Sequence, residues 1–525
     1  MAFTFQINPD VQFNHESDLL EKAEANRPKL HKTLVKPTKV MINREDTTET
    51  SYKAIQVTQT VKELGESSFG KDDQITLDFG NHYVGHFAVS IQSVGSPMDA
   101  PLFLRIRFAE VLDELTRSAE AYNGWLSKSW MQEEFIHLDK LPARLELPRR
   151  YSCRYVEIKV IDTSRKWRVQ FSDPTFVAQS SAEMAHLPAT QIKDAQLNKI
   201  YQISVRTLHE CMQEVFEDGP KRDRRLWLGD LHLAALSDYA TFDQVTIVKR
   251  CLYLFGGLTS QDGRVPATVF TNGDPIPDDT FLFDYSIFFV STLFDYYQHT
   301  KDKVMLHDLY RIAKQQIDLG LQYVDQEGCL KLPSKWPVFV DWSDEFDKTT
   351  CAQAILIYGL RQFIQLAEAV GEQDILSYQK QLHLLVHFST QQLFDSKLGL
   401  FTSGAQKEVN LASQVWMVLA GVLARPASKA LMVQAVKSLF PIRGIVTPYM
   451  YHFIVAALFK ADHLDTATGL LKTYWGKMVT LGADTFWEAF DPNDLNYSPY
   501  GNALLDSYCH AWSCTPAFLI TKYCL

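Results

Sequence analysis

The chain has 525 residues, 46% of them hydrophobic, which is too long for one small core and too apolar for disorder, so two to three domains are expected. A net charge of −10 at pH 7 with no Lys/Arg-rich block argues against a nucleic-acid surface. The opening "MAFTFQINPDVQF" has no basic segment leading into a long apolar stretch, and no run of about 18 apolar residues occurs anywhere, so neither secretion nor membrane insertion is expected.

The first fifty residues carry a weak pattern and are expected to wrap or extend the domain that follows. Up to about residue 180 the dominant signal is alternation of apolar and polar residues, in "ITLDF" (75–79), "FAVSIQSV", "FLRIRFAEV", "YVEIKVID" and "WRVQFSD". These read as half-buried strands. The connections "NHYVG" and "DKLPARLELP" contain no helical crossover, so residues 1–180 are expected to form an antiparallel β-sandwich with an extended N-terminal segment.

After "VAQSSAEMAHLPAT" the period changes to about 3.6. In "DAQLNKIYQISVRTLHECMQEVF", Leu197, Ile200, Tyr201, Ile203, Val205 and Leu208 fall mostly on one broad face. Further helical segments are expected near 231–254, 284–299, 303–324, 349–369, 373–394, 409–423, 428–439, 448–460, 463–478 and 502–522. About eleven helices make close to six hairpins, a pattern that suits an (α/α)6 barrel over residues 181–525, although a solenoid or an irregular bundle gives the same local signal. The eight cysteines (153, 211, 251, 329, 351, 509, 514 and 524) include no C-x-x-C pair and no zinc-like spacing. Reduced, mostly buried thiols are expected, as suits a cytoplasmic protein, and no metal or other cofactor is implied. Acidic turns such as "DPNDLN" resemble Ca²⁺ loops only superficially, since exposed acidic turns usually bind none.

Acids and aromatics concentrate in four interhelical loops: "EDGPKRDRRLWLGD", "NGDPIPDDTFLFD", "PSKWPVFVDWSDEFD" and "ADTFWEAFDPNDLNYSPYGN". On one face of a toroid they would surround a pocket suited to a sugar, with Asp, Glu, Arg and His for hydroxyls and aromatic faces for C–H surfaces. In any single loop, helix-end packing explains the same residues equally well.

"DGPKRDRRLWLGD" resembles the signature of the α-L-rhamnosidases of glycoside hydrolase family 78, Asp-x-Pro-x-Arg, an acid, Arg, then Trp-x-Gly-Asp. "GADTFWEAFDP" resembles the family's Thr-x-x-Trp-Glu element and "SYCHAWSCTPAFLI" its His-bearing final helix, while "LDFGNHYVGHFAVSI" and "RRYSCRYVEIKV" resemble the preceding sandwich. The resemblance spans roughly residues 70–525 and implies hydrolysis of terminal α-L-rhamnosides with inversion. It assigns Asp223 as general acid and Glu488 as general base, and it carries Asp218, Arg222, Trp227, Asp230, Asp341, Trp342 and His510 as sugar contacts. It also implies that the trailing β-domain of larger relatives is missing.

The residues themselves raise two difficulties. The family's commoner form has Glu as the acid, and a shifted register would place Arg224 there, which cannot serve because Arg stays protonated. A general acid also needs a raised pKa, whereas Lys221, Arg222 and Arg224 favour the ionised form. Glu217, Asp218, Asp230 and the dry Trp227 act the other way, so Arg222 is expected to face Asp218, Asp230 or the sugar. Alone, Asp223 paired to a neighbouring Arg on the surface is the commoner fate of an Asp. His510 also suits a satisfied core histidine, Trp342 simple packing, and Asp218 and Asp230 helix capping. The expected partner is a small rhamnoside, with no nucleic acid, no membrane and a homodimer as the assembly. Competing readings are a related (α/α)6 hydrolase for another sugar and a non-catalytic carbohydrate-binding protein.

Overall fold

The computed structural model describes residues 10–42 and 56–525. Nine strands form one antiparallel sheet: β1 (His31–Val35), β2 (Lys39–Ile42), β3 (Gln56–Gln59), β4 (Gln74–Gly95), β5 (Leu102–Ala109), β6 (Glu133–Leu138), β7 (Ala143–Glu146), β8 (Tyr151–Asp162) and β9 (Trp167–Ser180). The main order is β1-β9-β4-β8-β5-β6, with β2 and β7 also paired to β4 and β3 to β2. Where two separate sheets were expected, hydrogen bonding joins all nine strands through β4. Its first half pairs with β2 and β8, and its second half with β7 and β9.

The expected loop "NHYVG" lies inside this 22-residue strand. The change of partners occurs at Gly85, where an added Cβ would stand 2.0 Å from the carbonyl oxygen of Val177, so only glycine lets β9 approach. Alternate side chains of β4, β5, β8 and β9 fill a core of Leu77, Phe87, Ile106, Ile158, Val169 and Phe171. Two short helices, α2 (Val61–Leu64) and α3 (Leu112–Thr116), lie at the edges of this unit.

The segment expected to wrap the sheet divides its contacts. Residues 31–35 extend the sheet as β1, but α1 (Ser17–Ala25) packs on the helical part, and residues 1–9 and 43–55 lie outside the described residues. Asn14 and Glu16 donate their backbone N–H groups to the carbonyls of Thr259 and Gly257, and the buried Arg250 donates to the carbonyl of Ala23 at 2.8 Å.

From residue 195 the chain is helical: α4 (Ala195–Cys211), α5 (Leu228–Tyr239), α6 (Val245–Gly257), α7 (Phe283–Thr300), α8 (Lys303–Leu321), α9 (Thr349–Val370), α10 (Ile375–Phe388), α11 (Leu411–Leu419), α12 (Arg425–Leu439), α13 (Pro448–Lys460), α14 (Leu464–Thr480) and α15 (Pro516–Tyr523). Two expected helices differ. The segment 231–254 is split, because Asp238 gathers the backbone N–H groups of Thr241 and Asp243 on its carbonyl and that of Gln244 on its carboxylate, and Asp243 turns left-handed at φ 54°. The segment 502–522 is helical only from Pro516, preceded by two single turns at Ala503–Leu505 and Ala511–Ser513.

Alternate helices pack in succession, α5 on α7, α7 on α9, α9 on α11 and α11 on α13, with α15 touching both α13 and α5. Their inner faces meet in an aromatic stack. His232 lies 4.9 Å from Phe288, Phe288 6.0 Å from Phe453, and Phe453 4.4 Å from Trp416, which Tyr358 meets at 6.0 Å. These rings come from α5, α7, α13, α11 and α9. Together they make a solid floor. All eight cysteines are free thiols, six of them buried, and among the described residues no helix is long and apolar enough to cross a membrane.

The fully buried Trp416 sits at the centre of that floor. Trp416→Ala is expected to cost about 3–5 kcal/mol of stability, the range for truncating a large buried aromatic. Denaturant unfolding that shows a loss below about 1 kcal/mol would contradict close packing at this point.

Candidate functional site

Above the aromatic floor opens a cavity of about 310 Å³ whose wall includes Asp218, Arg222, Asp223, Trp227, Asp230, Trp342, Glu488 and His510. The fold therefore gathers eight of the nine residues expected at a site from four distant stretches of chain. Asp341 is the exception. It is fully buried and accepts hydrogen bonds from the backbone N–H of Ser343 (2.8 Å), Val446 (3.3 Å) and Thr447 (3.1 Å) and from the Thr447 hydroxyl, so it staples the 446–447 loop and aims its neighbour Trp342. Asp284 does the same for the backbone of Phe339 and Val340.

The loop 218–225 closes on itself. Asp218 and Arg225 exchange backbone hydrogen bonds with side-chain help, the Asp218 N–H to the Arg225 carbonyl at 3.0 Å and the Arg225 N–H to Asp218 Oδ1 at 2.9 Å. Gly219 is required inside this turn, since a Cβ there would meet the Arg222 carbonyl oxygen at 2.3 Å and Ser507 Oγ at 2.7 Å. Arg224 adopts φ 62° and its guanidinium donates to the carbonyls of Pro220 and Arg150, pointing away from the cavity. Asp223, not Arg224, lines the cavity.

The loop is fastened to both other parts of the chain. Lys221, 2% exposed, reaches into the sheet domain to Glu114 Oε1 at 2.7 Å and Glu110 Oε2 at 3.4 Å. Glu110 also accepts from the Tyr508 N–H at 2.7 Å and the Ser152 hydroxyl at 2.8 Å, with His82 Nε2 3.0 Å away. The Ala511 N–H binds the Asp218 carbonyl at 2.7 Å, joining the first motif to the last. Glu217 is buried in a two-bond pair with Arg150 and does not line the cavity.

Of the three directions expected for Arg222, those to Asp218 and Asp230 are not taken, and the side chain lines the cavity. Its Nη2 lies 2.5 Å from Glu488 Oε2 and its Nη1 3.5 Å from Asp223 Oδ1, its Nε donates to the Leu505 carbonyl, and its plane lies 4.0 Å from the Tyr500 ring. The loop backbone requires this, because Lys221 already spans to the sheet and the Arg222 carbonyl is held by Ser507 Oγ at 3.1 Å. One guanidinium thus stands between the two carboxylates.

Glu488 is fixed on all sides. Its N–H donates to the Ser507 carbonyl, its own carbonyl accepts from Trp512 Nε1, and Oε1 accepts from the Tyr500 hydroxyl. Burial pushes its pKa up, but the positive Arg222 and His510 and the Tyr500 hydroxyl outweigh it and hold the carboxyl below its ordinary value. Glu488 is therefore a carboxylate.

The like-charge crowding expected in the first motif is felt at Asp218 and Asp230. Burial, then the charges of Asp223 and Asp230, push Asp218 up to about 8 against the opposing pull of His510. Burial likewise raises Asp230, countered by His510, whose Nδ1 is 3.2 Å from Asp230 Oδ1. Burial alone would lower His510, but the surrounding carboxylates raise it. Asp230 Oδ1 and His510 Nδ1 are buried at the cavity and meet only each other among the described residues. Asp230 lies in the first turn of α5 and does not cap it. Among the described residues no group of three or more His, Cys, Asp or Glu side chains is placed to hold a metal ion.

Several wall residues were not singled out in the sequence. Tyr500 and Trp512 lie in the acid- and aromatic-rich stretches around Glu488 and His510, where their composition was the only signal. Phe339 lies in the acid- and aromatic-rich loop that carries Trp342, Tyr285 follows another such loop, and Trp125 and Trp130 come from the sheet domain, which carried no site motif.

Two family models match the chain: the N-terminal domain of glycosyl hydrolase family 78 alpha-rhamnosidases over residues 37–178, and the bacterial alpha-L-rhamnosidase six-hairpin glycosidase domain over residues 189–523. A rhamnosidase from Klebsiella oxytoca, solved with rhamnose bound, is 43% identical with a TM-score of 0.95, and the match covers 98% of this chain and 100% of that one. A family 78 rhamnosidase of Bacillus sp. GL1 (21% identity, TM-score 0.70, 85% of this chain and 46% of that one) shares the fold. So does a Streptomyces avermitilis alpha-L-rhamnosidase solved with L-rhamnose (18%, 0.66, 94% and 44%). Comparison with curated protein sequences gave no match.

Asp218 binds its proton more tightly in the folded chain, with a pKa of about 8, than in the unfolded one, where an Asp titrates near about 3.9. The folded state therefore holds the extra proton, and this group lowers stability progressively as pH rises between those values. Asp218→Asn is expected to gain stability over the parent through that window and to level off above it. Thermal unfolding with the same pH dependence in both proteins would show that Asp218 is not held as the acid.

Proposed function

The chain belongs to the α-L-rhamnosidases of glycoside hydrolase family 78, and on that premise we propose that it removes terminal α-L-rhamnose from small rhamnosides by a single displacement with inversion. The observation that carries this reading is the Arg222 guanidinium between Asp223 and Glu488. Two contacts on one such group keep the bracketing oxygens within the upper limit of roughly 9.5 Å for an inverting pair, and the choice of inversion over retention comes from the family resemblance.

Asp223 takes the role of general acid, giving its proton to the glycosidic oxygen as the bond to the anomeric carbon breaks. Glu488, held ionised, takes a proton from the water whose oxygen attacks the opposite face of that carbon. Arg222 is bound to both and fixes their spacing. Asp218, Asp230 and His510 receive sugar hydroxyls, the buried Asp230–His510 pair lining the cavity. Trp227 and Trp342 cover the C–H and methyl surface of the deoxy sugar. A carbohydrate-binding protein without activity has no use for a carboxylate pair bridged in this way.

The same reading takes residues 181–525 as an (α/α)6 toroid and residues 1–180 as the sheet domain, apart from α1. Its support is the succession of α5, α7, α9, α11, α13 and α15 and their meeting of inner rings, together with the six-hairpin description of the matching family model.

NMR of the first-formed sugar is expected to show β-L-rhamnose from an aryl α-L-rhamnoside, and first release of the α-anomer would remove the role given to Glu488. Asp223→Asn and Glu488→Gln are each expected to lower kcat/KM by about 10²–10⁴. Loss of Asp223 should abolish the alkaline limb of the pH profile and loss of Glu488 the acid limb.

A further inference from the structure

Part of the cavity wall comes from the sheet domain. Between β5 and β6 the chain leaves the sheet as an arm, residues 117–131, that brings Trp125, Leu126, Ser127 and Trp130 to the cavity. The arm is fastened to the 496–502 loop of the helical domain. The Trp125 N–H donates to the Tyr500 carbonyl at 3.2 Å, Trp125 Nε1 to the Pro499 carbonyl at 3.3 Å, and the two rings lie 5.4 Å apart. Asn502 bonds Asn123 at 3.1 Å, and a Cβ on Gly124 would stand 2.8 Å from the Tyr500 carbonyl oxygen.

Trp125 is nevertheless 52% exposed. A large ring pinned at its own backbone and at its indole N–H, yet left open to solvent beside a cavity, is a preorganised apolar platform. Trp130, on the same arm, also lines the cavity, and its ring backs onto the guanidinium of Arg224 at 5.9 Å.

We propose that this arm seats the leaving group and selects aglycones with a flat aryl face, Trp125 and Trp130 being specificity-determining residues. The inference rests on Asp223 as the general acid: the glycosidic oxygen faces the acid, so the aglycone extends past Asp223 towards the arm, while rhamnose occupies the end lined by Asp230 and His510. The polar groups of the arm select between aglycones. Trp125 Nε1 is committed to the Pro499 carbonyl, so its ring offers the leaving group a face and no donor for the hydroxyls of a second sugar. An aryl group needs no such partners.

The test compares 4-nitrophenyl and methyl α-L-rhamnoside in the parent, Trp125→Ala and Trp125→Phe, with inhibition by free rhamnose as a third reading. Trp125→Ala is expected to lower kcat/KM for the aryl substrate about three- to tenfold, through KM, the size of one lost aromatic stack. Turnover of the methyl glycoside and inhibition by rhamnose should stay within about twofold of the parent, and Trp125→Phe should restore most of the aryl preference. Equal losses on both substrates, carried by kcat, would mean that the ring acts through Tyr500 on Glu488 and would overturn the proposal. So would an aryl KM unchanged in Trp125→Ala. Release of the α-anomer by the parent would instead sink the acid–base assignment, while the comparison of leaving groups still reports on the arm.

Discussion

A lysine with almost no exposure, clamped between two carboxylates of another domain, is the constraint from which the site is built. Removing Lys221, Glu110 and Glu114 from water costs several kcal/mol per ion, offset only where geometry is good and the remaining lone pairs are used. Here they are used: Glu110 takes the Tyr508 N–H and the Ser152 hydroxyl, and Glu114 takes the N–H groups of Glu110 and Val111. The cluster thereby ties the acid-bearing loop, the sheet domain and the segment before α15 into one body. With Lys221 held in that direction, the backbone sends the next side chain, Arg222, the opposite way, to the carboxylates of the cavity. Two consecutive cations do different work, one joining domains and one ordering the chemistry.

The same physical quantity, burial of a carboxylate, gives three different outcomes here. Asp284 and Asp341 are each pushed up to about 6 by burial but spend their oxygens on backbone N–H groups, which makes them staples for loops. Asp218 and Asp230 have fewer donors and more like charges, so they lean towards the protonated form. Glu488 is as buried as they are, yet a guanidinium, an imidazole and a phenol keep it ionised. What distinguishes these groups is which positive or donating side chain arrives from another part of the chain. Sequence neighbours do not determine it.

This explains which features were legible in the sequence. Period-2 and period-3.6 patterns located β5, β8, β9 and nearly every helix, because those elements bury one face against a core and local pattern reports burial. Asp218, Asp223, Trp227, Asp230 and Trp342 were readable as wall residues because a motif fixes them at set offsets on short, rigid loops. The direction of Arg222 was not readable, since it depends on Lys221 finding partners about a hundred residues earlier. Nor was the interruption of helix between the single turns at 503–505 and 511–513: Ser507, Tyr508, His510 and Ala511 are helix-tolerant residues whose backbone groups are drawn off to Glu488, Glu110, Phe486 and Asp218. Asp341 was misread for the opposite reason, as an acid beside a true wall residue that faces the other way. The sheet-domain tryptophans carried no periodic or charged signal at all.

The helix α1 stands first among the described elements but packs against α6, more than 220 residues further on, with Arg250 donating to the Ala23 carbonyl and Lys22 paired to Asp308. At ribosomal speeds of about 5–20 residues per second, that partner emerges roughly 10–50 s after the helix itself. A nascent sheet domain must therefore hold its leading amphipathic helix unburied through much of synthesis, its Leu19 and Ala23 without the surface that later covers them. The helix waits for a partner made near the middle of the chain, so termination before α6 leaves an exposed apolar stripe as the mark of an unfinished molecule.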